Sequence, residues 1–270
     1  MRRGSAKGSL AVVTLVMLAV MFAPFLAPYP GDAGLVAHLE QRLLPPDLRY
    51  WFGTDHLGRD VFSRVLFGGR VSLVIGFASV ALAATVGTIV GVLAGYLRGW
   101  TDEILMRFAD IFLGVPALVL AVLVVLTLGG GPEMTIFAIA ATTWPKYARV
   151  VRSEVMRTKV LEFVIAATAY GARPLLIMRR HIFPAVQPSL MAQASLQVGS
   201  AILVASSLGF IGLGARPPSP EWGLSIAHGR EYLPESWWVS FFPGGVILLT
   251  VIGLNLLGDG IRVALDARAE

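Results

Sequence analysis

The chain has 270 residues, 56% of them hydrophobic and only 14% charged, with a mean hydropathy of +0.72. Soluble domains carry about 25% charged residues, and a single core of this size could not hide so much apolar surface, so a soluble globular protein is excluded. There is no cysteine, which excludes disulfides, thiolate metal sites and cysteine nucleophiles. The formal charge of +5 does not describe a nucleic-acid binder, because the basic residues lie between apolar runs and not along one face.

In chain order, residues 10–29 form the first uncharged run of the roughly 20 residues that a bilayer-crossing helix needs. Arg2, Arg3 and Lys7 precede it as in a signal peptide, but 23–28 offers bulky or proline-flanked positions where small cleavage-site residues are required. The run is read as a retained anchor. The stretch 30–70 is expected outside. Its tract from Gly53 to Asp60 suits tight turns, with Asp60 capping a short helix suggested by Val61, Phe62, Val65 and Leu66. Asp55 and His56 are read as turn residues, since two ligands do not make a metal site.

The second span is 71–97. Within it Ala83, Gly87, Gly91 and Gly95 form a small-residue ridge that lets another helix approach closely, from this chain or from another subunit. The third, 111–132, is expected to begin upstream near Ile104, which puts Arg107 and Asp110 one helical turn apart, where they can pair. The fourth, 134–151, is interrupted by Lys146 and Arg149 near one end, where long basic side chains reach the headgroups. The fifth, 182–215, carries uncharged polar residues including Ser200, Ser206 and Ser207 that suit a pathway lining or close helix packing. Residues 215–235 combine three prolines with interfacial aromatics, and 236–258 is the sixth span. Six spans put both termini on one side. With the N-terminus inside, most of the 22 Lys and Arg residues become cytoplasmic, in accord with the positive-inside bias.

The segment 152–188 then lies in the cytoplasm. Val160, Leu161, Val164, Ile165 and Thr168 recur with helical spacing, Gly171 permits a turn, and Pro174 opens a second helix over 175–182 that Pro184 stops. This is a compact knob with apolar and basic faces. It suits either the inner leaflet, through Arg173, Arg179 and Arg180, or a soluble partner.

Ala166-Ala167, Gly171 and, nine residues on, His181-Ile182-Phe183-Pro184 resemble the coupling-loop signature of bacterial ABC importer permeases. Other tracts resemble the dipeptide, oligopeptide and nickel subfamily. They are Gly53-Thr54-Asp55 with Gly58-Arg59-Asp60, Gly95-Tyr96 with Gly99-Trp100-Thr101-Asp102-Glu103, Trp144-Pro145, Leu208-Gly209-Phe210-Ile211-Gly212 and Asn255-Leu256-Leu257-Gly258-Asp259-Gly260. The likeness runs from about Trp51 to the C-terminus and suggests the second of two permeases. The signature's acidic position is occupied here by Ile165, and Glu162 stands one turn earlier.

The resemblance implies an all-α type I importer permease in two parts. Residues 1–50 are the tail, anchor and start of the external loop; 51–270 are the permease domain, with its coupling loop at 152–188. It further implies a second permease, two ATPase subunits that carry ATP and Mg, an external substrate-binding protein, and a docking role for Glu162, Ala166, Ala167, Gly171, His181 and Pro184. The chain itself is expected to bind no cofactor or nucleic acid and to sit in the bacterial or archaeal inner membrane. Peptide import leads, with nickel or another small solute as the alternative. No nucleotide-binding glycine loop or catalytic triad spacing is present, so ATP hydrolysis is assigned to partners. Intramembrane charge is sparse, unlike the buried carboxylates common in proton- or sodium-coupled carriers, and the coupling loop favours a coupled permease over the rival reading of a self-sufficient channel or secondary carrier.

Overall fold

The computed structural model describes residues 2–266, which form helices and turns; no strand occurs among the described residues. The chain ends, Met1 and 267–270, to which the cytoplasmic assignment of the termini applies, lie outside them. The helices are α1 (Arg2–Met21), α2 (Ala23–Leu26), α3 (Val61–Leu97), α4 (Gly99–Leu113), α5 (Ala117–Leu128) and α6 (Pro132–Thr158), followed by α7 (Glu162–Ala169), α8 (Pro174–Ile177), α9 (Phe183–Phe210), α10 (Trp222–Gly229) and α11 (Trp238–Asp266).

Each expected span contains helix, but the bounds differ in ways that have physical causes. Residues 61–66 are not a separate short helix. They are the first turns of α3, a 37-residue helix whose first orphan amides are met by the Asp60 carboxylate, which accepts from the Ser63 N–H at 2.8 Å. The expected third span is broken: α4 and α5 meet at a 92° bend, where Pro116 restricts Val115 and cannot donate into the preceding turn. Pro184 does not stop a helix. A π-helical turn over Met178–Ile182 joins α8 to α9, giving one rod from Pro174 to Phe210 in which Pro184 falls in the first turn of α9, directly after the π-helical turn. By length and composition, α3, this rod and α11 can each cross a membrane, and the bent α4–α5 pair makes a fourth candidate.

Packing is led by the parallel contact of α3 with α6, and the small-residue ridge makes it. A Cβ on Gly91 would lie 2.6 Å from the Ala148 carbonyl oxygen, and one on Gly95 2.8 Å from Val155 Cβ; Gly87 faces Trp144, Tyr147 and Ala148. Ala83 is wholly buried in the same core. The ridge is therefore used inside this chain, and contact with another subunit does not explain it. α9 crosses α3 at Ile202 over Gly76, α11 lies on α9 where Asn255 meets Gly199, and α1 covers α11 with Val13 against Gly253.

Residues 30–60 form a lobe at the end of the bundle where α3 begins. Backbone bonds join its two arms, from His38 N to Leu57 O and from Leu43 N to Asp55 O. The Trp238 indole donates to the Thr54 carbonyl at 3.1 Å and ties the lobe to α11. The segment between α6 and α9 stands at the opposite end, the full length of α3 away, roughly 55 Å at 1.5 Å per residue.

Candidate functional site

That segment is a knob built on a small apolar core of Val151, Val155, Val164, Ile177, Ile182 and Val186. α7 begins at Glu162, later than the apolar periodicity suggests, so the expected single stripe divides: Val164 is buried, while Val160, Leu161 and Ile165 are exposed. The helix ends in a Schellman turn. Gly171 N–H donates to Thr168 O at 3.0 Å and Ala172 N–H to Ala167 O at 3.1 Å. Gly171 adopts φ +77° with nothing near its absent Cβ, so conformation and not space requires glycine there.

The structure separates the docking candidates. Glu162 lies exposed in the first turn of α7, where a carboxylate suits the helix dipole. Ala166 is exposed, whereas Ala167 is half-buried against the knob's own core. His181 sits in the π-helical turn with its ring 5.9 Å from that of Phe163, and Pro184 is exposed at the start of α9. Around Ala166 the surface is unusually apolar: Tyr170 is 92% and Leu175 75% exposed, with Phe163, Ile165 and Leu176 also open. Arg173, Arg179 and Arg180 are exposed beside them.

The knob is held by polar contacts that the sequence reading did not find. Arg152 makes two bonds to Asp102, of 2.5 and 2.7 Å, which join α6 to α4. Lys159 donates to Tyr96 O at 2.7 Å and Ser189 donates to Glu154 at 3.0 Å. The expected Arg107–Asp110 pair does not form. Arg107 pairs with Glu103 at 2.7 Å on its own helix, and Asp110 turns across to Arg149 on α6 at 2.6 Å. Both alternatives are short, and the bend that tilts α4 across α6 makes the second possible.

A cleft of about 560 Å³ opens between α5, α9, α10 and α11, nearer the lobe end. Leu118, Leu203, Phe210, Ile226, Ile247 and Leu248 supply its apolar wall, with Ser206 and Ser207 among the lining. Ser206 Oγ is buried and has no protein partner, while Ser207 Oγ donates to Leu203 O at 2.8 Å. Ser200 is exposed but does not line this cleft. The start of α10, beside the cleft, is fixed by Glu221, which is 1% exposed. Its carboxylate accepts from Gly223 and Leu224 N–H at the start of α10 and from Ser72 Oγ of α3 at 3.1 Å. Burial raises its pKa. The sequence signal was available: an acidic residue after Pro220 and before an apolar run marks a helix N-terminus.

In the lobe, Asp55 is an ion-pair centre. It accepts from Leu57 and Arg59 N–H, pairs with Arg59 at 2.8 Å and lies 3.4 Å from Arg64. Burial would raise its pKa, but the Arg59 hydrogen bond and the Arg59 and Arg64 charges hold it below the usual carboxylate value. His56 faces His228 of α10 with ring centroids 5.1 Å apart. No group of three or more potential metal ligands exists among the described residues.

Comparison with known proteins bears on the family and the fold. The profile of the family "Binding-protein-dependent transport system inner membrane component" matches residues 87–270. The "Probable D,D-dipeptide transport system permease protein DdpC" of Escherichia coli K12 is 44% identical over 97% of this chain and 87% of the relative. The "Di/tripeptide transport system permease protein DppC" of Pseudomonas aeruginosa is 41% identical over 98% and 88%. The "Glutathione transport system permease protein GsiD" of Pectobacterium atrosepticum is 40% identical over 95% and 85%. Among solved structures, an inward-facing MetNI methionine ABC transporter chain aligns with a TM-score of 0.60 at 20% identity, covering 75% of this chain and 96% of that one. That likeness speaks for the fold.

Proposed function

This chain belongs to the binding-protein-dependent transport system inner membrane component family and is a permease subunit of an ABC importer, and from that premise we propose how it works and what it carries. The knob of α7 and α8 is the docking element for an ATPase subunit, and the cleft beside Ser206 and Ser207 is this chain's half of the path for a small peptide. The knob end is cytoplasmic, with both termini on that side, and the lobe of residues 30–60 is external. A second permease completes the path, two ATPase subunits supply ATP and Mg chemistry, and an external binding protein delivers the ligand.

The observation that carries the reading is the exposed apolar surface around Ala166 on a knob fastened to both α6 and α9. A partner seated there pushes at once on the helix that packs against the glycine ridge and on the helix that lines the cleft. A wall that is apolar apart from Ser206 and Ser207, with the Ser206 hydroxyl buried and the Ser207 hydroxyl bonded within α9, suits passage of a solute without tight binding. The relatives' names for dipeptide, tripeptide and glutathione transport support a small peptide as cargo.

The test is Ala166→Arg, because Ala166 is open whereas a charge at Ala167 would also disturb the knob's core. If an ATPase packs on Ala166, the arginine is expected to cost about 2 kcal/mol of docking, roughly thirty-fold in affinity. The purified complex should lose ATPase subunits or ligand-stimulated hydrolysis. Unchanged subunit retention together with unchanged stimulation, with tighter binding to anionic lipid, would assign the knob to the membrane surface instead.

A further inference from the structure

α4 has no assigned role, and its geometry is unusual. Its two cross-links to α6 are unequally spaced. Asp102 and Asp110 stand eight residues apart on α4, about 12 Å, yet their partners Arg152 and Arg149 stand three apart on α6, about 4.5 Å. α4 therefore crosses α6 obliquely instead of running beside it, in keeping with its 92° bend from α5. Near its end it is still close to α6, where Phe112 packs on Trp144 at 5.6 Å.

The two sides of α4 are chemically distinct. Asp102 and Ala109 are buried against the bundle. Opposite them Trp100 is 81% exposed, and Ile104 and Ile111 are open too, on one face at helical spacing; Phe108 lies at the edge of that face, half open and stacked on Trp144 of α6 at 6.0 Å. The charged residues Glu103, Arg107 and Asp110 form an adjoining flank, and each already has a partner in this chain. Arg107, paired with Glu103, borders the apolar face beside Trp100 and Ile111, and the face continues into exposed apolar residues on either side: Leu97 at the end of α3, and Val119 and Leu123 on α5.

We propose that α4 is an oblique amphipathic helix seated in the headgroup–acyl boundary at the knob end of the bundle, with lipid covering Trp100, Ile104, Phe108 and Ile111. Three observations favour lipid over a protein occupant: the stripe is continuous with the apolar surfaces of the neighbouring helices, its flanking charges are satisfied internally, and a tryptophan stands where the chain leaves α3, the place such rings prefer at a bilayer interface. In this position α4 couples the tilt of α6, through the Asp102 and Asp110 ion pairs, to the leaflet in which it floats. The inference depends on the membrane reading of the chain but not on the docking role of the knob.

The chain contains no cysteine, so single cysteines at Ile104, Ile111 and Glu103 can carry nitroxide labels in the assembled importer in lipid nanodiscs. Labels at 104 and 111 are expected to collide with oxygen several-fold more readily than with a water-soluble nickel chelate. The label at 103 should shift toward the chelate. Immobile labels shielded from both probes at 104 and 111 would place a protein partner on this face, and preferential chelate access would make it part of an aqueous path; either result overturns the proposal. A second measurement uses brominated lipid. Trp100→Phe should remove a quenched component of the fluorescence from the six tryptophans, and an unchanged quenching fraction would also overturn it.

Discussion

At the residue scale the glycines of α3 set the spacing of the bundle. Because Gly91 has the Ala148 carbonyl 2.6 Å from where its Cβ would be, a larger side chain must displace backbone and not merely a rotamer. Gly91→Leu is expected to cost about 1–3 kcal/mol or more and to sharply lower the yield of folded complex. Val92→Leu, at a partly exposed neighbouring position, adds one methylene and should be nearly neutral. Size-exclusion yield and melting temperature of the two variants make the comparison; equal values would remove the ridge from the account of folding. The ridge could be read from sequence as four small residues spaced by four. Its partner could not, because the choice between an internal helix and another subunit depends on where α6 lies.

At the element scale the lobe is fastened to α10 through histidines. His56 and His228 are half-buried, and burial lowers both pKa values. Arg59 and Arg64 push both further down, joined by Arg42 at His56 and by His56 itself at His228, while Asp55 opposes them. The unfolded chain binds the proton at about pH 6.5, and the folded lobe binds it only at lower pH. The stability that the neutral pair contributes is thus fully present above about pH 6.5 and is lost as pH falls through the lowered folded values. Hydrogen exchange over residues 38–60, corrected for intrinsic rates, should accelerate between pH 7.5 and 5. His56→Gln with His228→Gln should flatten that dependence, and an unaltered profile in the double variant would show that these rings do not govern it. The pair escaped sequence reading because 172 positions separate the two residues, and only the packing of α10 on the lobe brings them together.

At the scale of the whole molecule the orientation can be tested directly. Reporter fusions after Glu40 and after Leu233 should report the external side, and fusions after Lys159 and at the C-terminus the cytoplasm. A cytoplasmic signal at Glu40 would reverse the molecule and detach the knob from any ATPase. The prediction combines two independent arguments. The positive-inside bias comes from the sequence, and the placement of lobe and knob at opposite ends of α3 comes from the structure.

Hydropathy by itself determined that the chain is a helical membrane protein, because apolar runs of bilayer length have few other stable fates. Local chemistry also announced itself in the sequence: Asp60 as a helix cap, Gly171 as the turn between two short helices, and the knob's place between the fourth and fifth apolar runs. Only the tertiary structure decided the rest. That includes the broken span at Pro116, the passage of α9 through Pro184, and Asp110 choosing Arg149 over Arg107. It also includes which alanine of the knob faces outward. The physical reason is the range of the forces: burial and backbone preference act over a few residues and are written locally, whereas ion-pair choice, helix crossing and exposure depend on which distant helix arrives alongside.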